Sequence, residues 1–212
     1  MRKKEYAILS LCMLGLFALW TAAVTAVDVQ AIGPQGSRVG LAGLNGWIHG
    51  LTGVHMWLYA LTDCLSLIPL LLVPEFAILG LTQWIGRKSL LKVDRSILSL
   101  GGFYATVMGI YLFFEKCIVN YRPVLIEGKL EASYPSSTTV LVICVMTTAA
   151  IEFQNRIQNP RKRRWITRMI TIFTVLMVIG RLLSGVHWFT DIVGGILLSA
   201  GLVMLYRAIS SK

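Results

Sequence analysis

His187 and Asp191 stand four residues apart, so on a helix they share one face. A carboxylate in that position can hold one imidazole nitrogen and leave the other free to attack. Arg181 precedes this pair by six residues. Lys116 and Arg122-Pro123 lie upstream, followed by Tyr134-Pro135-Ser136-Ser137-Thr138-Thr139. Arg122 and Arg181 can fork onto phosphate oxygens, and Lys116 adds a point charge. Pro135 suits the first turn of a helix and the hydroxyl residues suit its start. Such an N-terminus offers free N–H groups and a positive dipole end to an anion. Together these residues describe phosphoryl transfer without metal or organic cofactor: a histidine nucleophile facing a basic cradle.

The elements that must position them are membrane spans. Of 212 residues 56% are hydrophobic and 14% charged, and the mean hydropathy is +0.70. A soluble domain carries about a quarter charged residues, so soluble, disordered and disulfide-scaffold classes are excluded. Cys12, Cys64, Cys117 and Cys144 are scattered, with no CxxC pair, and read as small buried hydrophobes. Six apolar segments reach spanning length, at about 6–27, 54–85, 96–119, 136–153, 165–183 and 186–206. The second is long, and Pro69 and Pro74 are expected to kink or break it within one crossing. The first begins with Arg2-Lys3-Lys4 and carries a cleavage-like Val24-Thr25-Ala26; its length favours an uncleaved span over a signal peptide.

The net charge of +10 sorts by side. Fifteen basic residues fall at the N-terminus, in the 2–3 and 4–5 links and at the C-terminal end with Arg207 and Lys212, against five on the other side. This asymmetry places both termini in the cytoplasm and the chemistry outside. The run Arg161–Arg164 then anchors topology on anionic lipid, not nucleic acid. The expected fold is an all-α, six-span bundle forming a single domain over 1–212 in a cytoplasmic membrane. Glycines 33, 36, 40, 43, 46, 50 and 53 would form a strip if that loop were helical; a flexible loop is the alternative.

Lys116…Arg122-Pro123, Pro135-Ser136-Ser137-Thr138 and Gly180-Arg181…His187…Asp191 together resemble the type 2 phosphatidic acid phosphatase superfamily of membrane lipid phosphatases. The resemblance implies that His187 attacks phosphorus to form a phosphohistidine, that Asp191 orients it, and that Lys116, Arg122, Arg181 and Ser136 hold the phosphoryl group. Three departures stand out. Thr138 replaces the family's acid histidine, Ser137 replaces a glycine while keeping its backbone N–H, and Glu115 occupies the strict lysine position, one residue before Lys116. The preceding serine of the third motif is Gly180.

Threonine donates no proton readily near neutral pH, and a general acid is worth about 10²–10⁴-fold to an alcohol leaving group. A diphosphate leaves as phosphate and needs less help. The expected substrate is therefore a lipid phosphate, with an isoprenoid diphosphate resembling undecaprenyl diphosphate favoured over phosphatidic acid. The alternatives are a non-catalytic lipid-phosphate-binding or carrier relative and a lipid phosphotransferase. His49, and less strongly His55, is a candidate replacement acid, against the reading of interfacial histidines beside Trp47 and Trp57. Asp63 is an ionisable residue inside a span and a functional suspect. Gly194, Gly195, Ser199 and Ala200 read as helix-packing positions. Membrane lipids are the expected partners, and the oligomeric state is left open.

Overall fold

Residues 2–210 are described in the computed structural model; Met1 and the last two positions, Lys212 of the charge count among them, lie outside. The helices are α1 (Lys3–Ala26), α2 (Ala42–Thr52), α3 (Met56–Leu65), α4 (Leu67–Arg87), α5 (Arg95–Lys116), α6 (Ser137–Arg156), α7 (Pro160–Leu183) and α8 (Phe189–Ser210). With α3 and α4 taken as one crossing, six helical segments are long and apolar enough to span a membrane. The described residues hold isolated β-bridges but no sheet. The all-α, six-span expectation holds.

Burial separates the central helices from the lipid-facing ones. The most apolar windows of α6 and α8 are 61% and 50% buried, whereas those of the other spans are between 11% and 22% buried. Helix α8 packs against α1, α5 and α6. Gly201 lets α1 approach: a Cβ there would stand 2.7 Å from Leu14, and Ser10 Oγ donates to the Gly201 carbonyl at 2.8 Å. Gly195 admits Thr139 of α6, while Gly194 receives the Tyr134 ring from the loop before α6. The small residues of α8 thus seat a loop aromatic as well as helices.

The long second segment breaks at Ser66, ahead of both prolines. Pro69 falls in the first turn of α4, where a missing N–H costs no intrahelical bond, and Pro74 remains inside α4. The break therefore lies just under one turn before Pro69 and more than two turns before Pro74. Helix α2 holds only Gly43, Gly46 and Gly50 of the glycine strip. Gly40 lies outside it, and a Cβ there would stand 1.5 Å from the Val24 carbonyl oxygen. That close approach at the end of α1 accounts for this glycine better than a helical stripe does.

At one end of the bundle, the buried Glu152 accepts from Tyr206 Oη at 2.9 Å, Ser96 Oγ at 3.0 Å and Arg156 Nε at 3.2 Å. Arg156 also pairs with Asp94, which pairs with Arg87. This network ties α4, α5, α6 and α8 together. The opposite end gathers the C-termini of α5 and α7 with the N-termini of α3, α6 and α8.

Candidate active site

The loop between α5 and α6 is a short hairpin. Tyr121 bridges Ala132, Arg122 N donates to Glu131 O at 3.0 Å, and Ser133 N donates to Asn120 O at 2.9 Å. The hairpin delivers Arg122 and Ser133 to opposite nitrogens of His187. Arg122 Nη1 lies 3.3 Å from Nε2, and Ser133 Oγ lies 3.1 Å from Nδ1. A guanidinium can only donate, so Nε2 is the acceptor and carries the lone pair, and the ring proton sits on Nδ1. His187 is 3% exposed in the loop between α7 and α8. Burial pushes its pKa down to about 4. The neighbouring Arg122 and Arg181 charges act the same way, and Asp191 opposes them. The imidazole is therefore neutral and nucleophilic near pH 7.

Asp191 opens α8 and is fully buried. Its Oδ2 accepts from Trp188 N at 2.8 Å and from Ser133 Oγ, and its Oδ1 accepts from Asn120 Nδ2 at 3.4 Å. It stands 3.7 Å from His187 Nδ1, too far for a hydrogen bond. The carboxylate reaches the ring through the serine. Asn45 of α2 fastens the residue before Asp191: its Nδ2 donates to Thr190 Oγ1 at 2.9 Å, and its Oδ1 accepts from Thr190 N at 3.1 Å. Sequence reasoning missed Ser133, Asn120 and Asn45. Ser133 stands two residues before Pro135, and only the hairpin fold turns it toward the histidine.

Arg181 is 2% exposed and spreads between two helices. Its Nη2 donates to Thr138 Oγ1 at 2.6 Å and its Nη1 to Thr62 Oγ1 at 3.3 Å. Asp63 Oδ1 lies 3.7 Å away, and the Tyr59 ring centroid lies 4.9 Å from the guanidinium carbon. Asp63 is thus an ion-pair partner of the cradle, and Tyr59 and Thr62 of α3 are further site residues that sequence reasoning missed. Gly180 has a packing reason: a Cβ there would stand 2.8 Å from Thr62 Cγ2.

Ser136 is the N-cap of α6, accepting from Thr139 Oγ1 at 3.0 Å and, more loosely, from Thr139 N at 3.5 Å. Pro135 therefore precedes the cap and does not enter the first turn as expected. The first-turn N–H groups of Ser137 and Thr138 have no intrahelical partner and offer an anion site beside Arg181. Arg122 is 8% exposed and pairs through Nε with Glu131 at 3.1 Å.

Lys116 is not brought into this cluster. It is exposed and makes no hydrogen bond or ion pair with the described residues. Glu115 instead lines a cavity of about 520 Å³ together with Ser133, Ser137 and Thr138. The rest of that cavity is largely apolar, running between α4, α5 and α6 past Leu70, Val107 and Val140. His49 lies on α2 with its ring 5.3 Å from that of Trp188 and makes no hydrogen bond to His187 or either arginine. Its Nδ1 is buried without a partner, and burial lowers its pKa.

A family model described as the PAP2 superfamily matches residues 97–212. No curated protein matches the chain. The fold is similar to the crystal structure of a transmembrane PAP2-type phosphatidylglycerolphosphate phosphatase from Bacillus subtilis, with a TM-score of 0.66 over 94% of each chain. At 19% identity that likeness concerns the fold. The family match spans 116 of 212 residues and contains Arg122, Ser133, Arg181, His187 and Asp191; the chain belongs to the PAP2 superfamily.

Proposed function

We propose that this protein is a membrane lipid phosphatase that removes a phosphoryl group through a phosphohistidine at His187. The observation that carries the reading is the placement of His187: a buried imidazole with Nε2 3.3 Å from the Arg122 guanidinium and Nδ1 3.1 Å from Ser133 Oγ, an arrangement that suits a neutral ring with its lone pair on Nε2. A binding protein has no need of so oriented a nucleophile. Phosphate entering the site takes over the donors of Arg122 and Arg181 and the N–H groups opening α6. Nε2 attacks phosphorus, and the bond to the leaving oxygen breaks with its electron pair on that oxygen. The imidazolium charge that forms is balanced by the Asp191 carboxylate through Ser133. Water then attacks phosphorus, the N–P bond breaks with its pair returning to Nε2, and phosphate leaves.

The cavity beside Ser137 and Thr138 supports a lipid substrate, because its largely apolar walls suit a hydrocarbon chain whose phosphate sits at the polar rim. Thr138 offers no acid to an alkoxide, which favours an isoprenoid diphosphate resembling undecaprenyl diphosphate. The positive-inside asymmetry supports a site on the extracytoplasmic face of a cytoplasmic membrane. Phosphate release from a panel of lipid monophosphates and isoprenoid diphosphates tests the proposal, with His187→Ala as control. Turnover by the wild type and none by the variant is expected. A wild type that binds these lipids and releases no phosphate from any of them would mark a carrier instead.

A further inference from the structure

We propose that Ser133 is the positioning residue of the nucleophile, standing between His187 and Asp191 where a direct histidine–carboxylate contact was expected. The inference rests on the phosphohistidine reading above and adds the group that sets the ring. The donor arithmetic admits one arrangement. Arg122 has only donors, so His187 Nε2 accepts and Nδ1 bears the proton. That proton has Ser133 Oγ at 3.1 Å and Asp191 Oδ2 only at 3.7 Å. Ser133 therefore accepts from Nδ1–H and gives its own hydroxyl proton to Asp191 Oδ2. The other donors to Asp191, Trp188 N and Asn120 Nδ2, hold the carboxylate in place without touching the ring.

The hairpin makes the device geometrically coupled. Arg122 and Ser133 sit on its two paired arms, joined by the Arg122–Glu131 and Ser133–Asn120 backbone bonds. One rigid loop thus grips both ring nitrogens, the arginine on the attacking side and the serine on the far side. Ser133 is 3% exposed and lines the cavity wall. Threonine carries its hydroxyl on the same carbon as serine, so Ser133→Thr is the variant that retains the bridging group.

Two variants and two readouts test this. Ser133→Ala should lower kcat about 10- to 100-fold, the span of one hydrogen bond felt mainly in the transition state, with KM within about twofold because no phosphate ligand is removed. Ser133→Thr should recover most of that kcat. Equal damage by both variants, or wild-type kcat in Ser133→Ala, overturns the proposal. Nitrogen-15 histidine NMR of the full-length protein in detergent reads the same point without turnover. His187 should be the Nδ1–H tautomer, and its Nδ1 resonance should move in Ser133→Ala; an unmoved resonance refutes the role. An inactive wild type with the expected NMR shift would sink the phosphatase reading alone.

Discussion

Gly185 is the place where a single methyl group should separate catalysis from fold. Its φ of +68° lies in the left-handed region, and an added Cβ would stand 1.9 Å from the Gly53 carbonyl oxygen. Cβ contacts do not fall below 3.0 Å, so the two backbones must part by at least 1.1 Å. That separation strains or breaks the adjoining His55 N to Ser184 O bond of 2.9 Å. The left-handed conformation adds about 1–2 kcal/mol for a non-glycine residue, and the lost bond adds about 1 kcal/mol. His187 follows two residues later, so the imidazole proposed as nucleophile moves with the loop. A displacement of about 1 Å can cost about 10²-fold in rate. Gly185→Ala should therefore reduce kcat about 100-fold and lower the unfolding temperature in detergent. Gly109→Ala is the control, since its Cβ meets nothing within 4 Å. Phosphate release and thermal unfolding are the assays. Wild-type kcat with an unshifted unfolding temperature in Gly185→Ala would refute the argument that this contact sets the position of His187.

Thr138→His should raise turnover of an alkyl phosphate monoester by up to about 10²-fold, offset in part by losing the 2.6 Å bond from Arg181, while diphosphate turnover stays flat or falls; equal gains on both substrates would contradict the leaving-group argument. Lys116→Ala should leave kcat/KM within about twofold, because its side chain touches none of the site. Glu115→Lys should lower KM for a dianionic monoester several-fold by placing a cation on the cavity wall; the reverse ranking of these two variants would show that Lys116 is the working cation. In the pH profile, the acid limb of kcat/KM for the free enzyme should lie near pH 4, since protonation removes the Nε2 lone pair and burial holds the His187 pKa down to about 4. The same burial makes stability fall as pH drops from the ordinary 6.5 toward 4, and leaves it unaffected by this group above 6.5. An acid limb at 6.5 would show a solvated histidine.

Hydropathy was enough for the spans, because their length and apolarity are local properties of the chain. The break at Ser66 was not legible, since a proline's effect depends on whether it falls in a first turn. That His187, Asp191, Arg122 and Arg181 come together was legible from their type and spacing. Ser133, Asn120 and Asn45 did not: small polar residues are common in loops, and their value comes from a hairpin and a buried network spanning up to 145 positions in sequence. Lys116 illustrates the opposite limit. Its charge suited the chemistry, yet one residue of helical rotation leaves Glu115 on the cavity wall instead.

The proposed reaction requires a covalent bond between His187 and phosphorus. Rapid quenching of the full-length protein with a lipid substrate bearing labelled phosphate at the scissile position tests it most directly. The expected result is an acid-labile, base-stable label on the peptide containing His187, formed within one turnover and absent from His187→Ala. Steady phosphate release by a His187→Ala variant, or by a wild type carrying label on another residue, would rule out a phosphohistidine at His187.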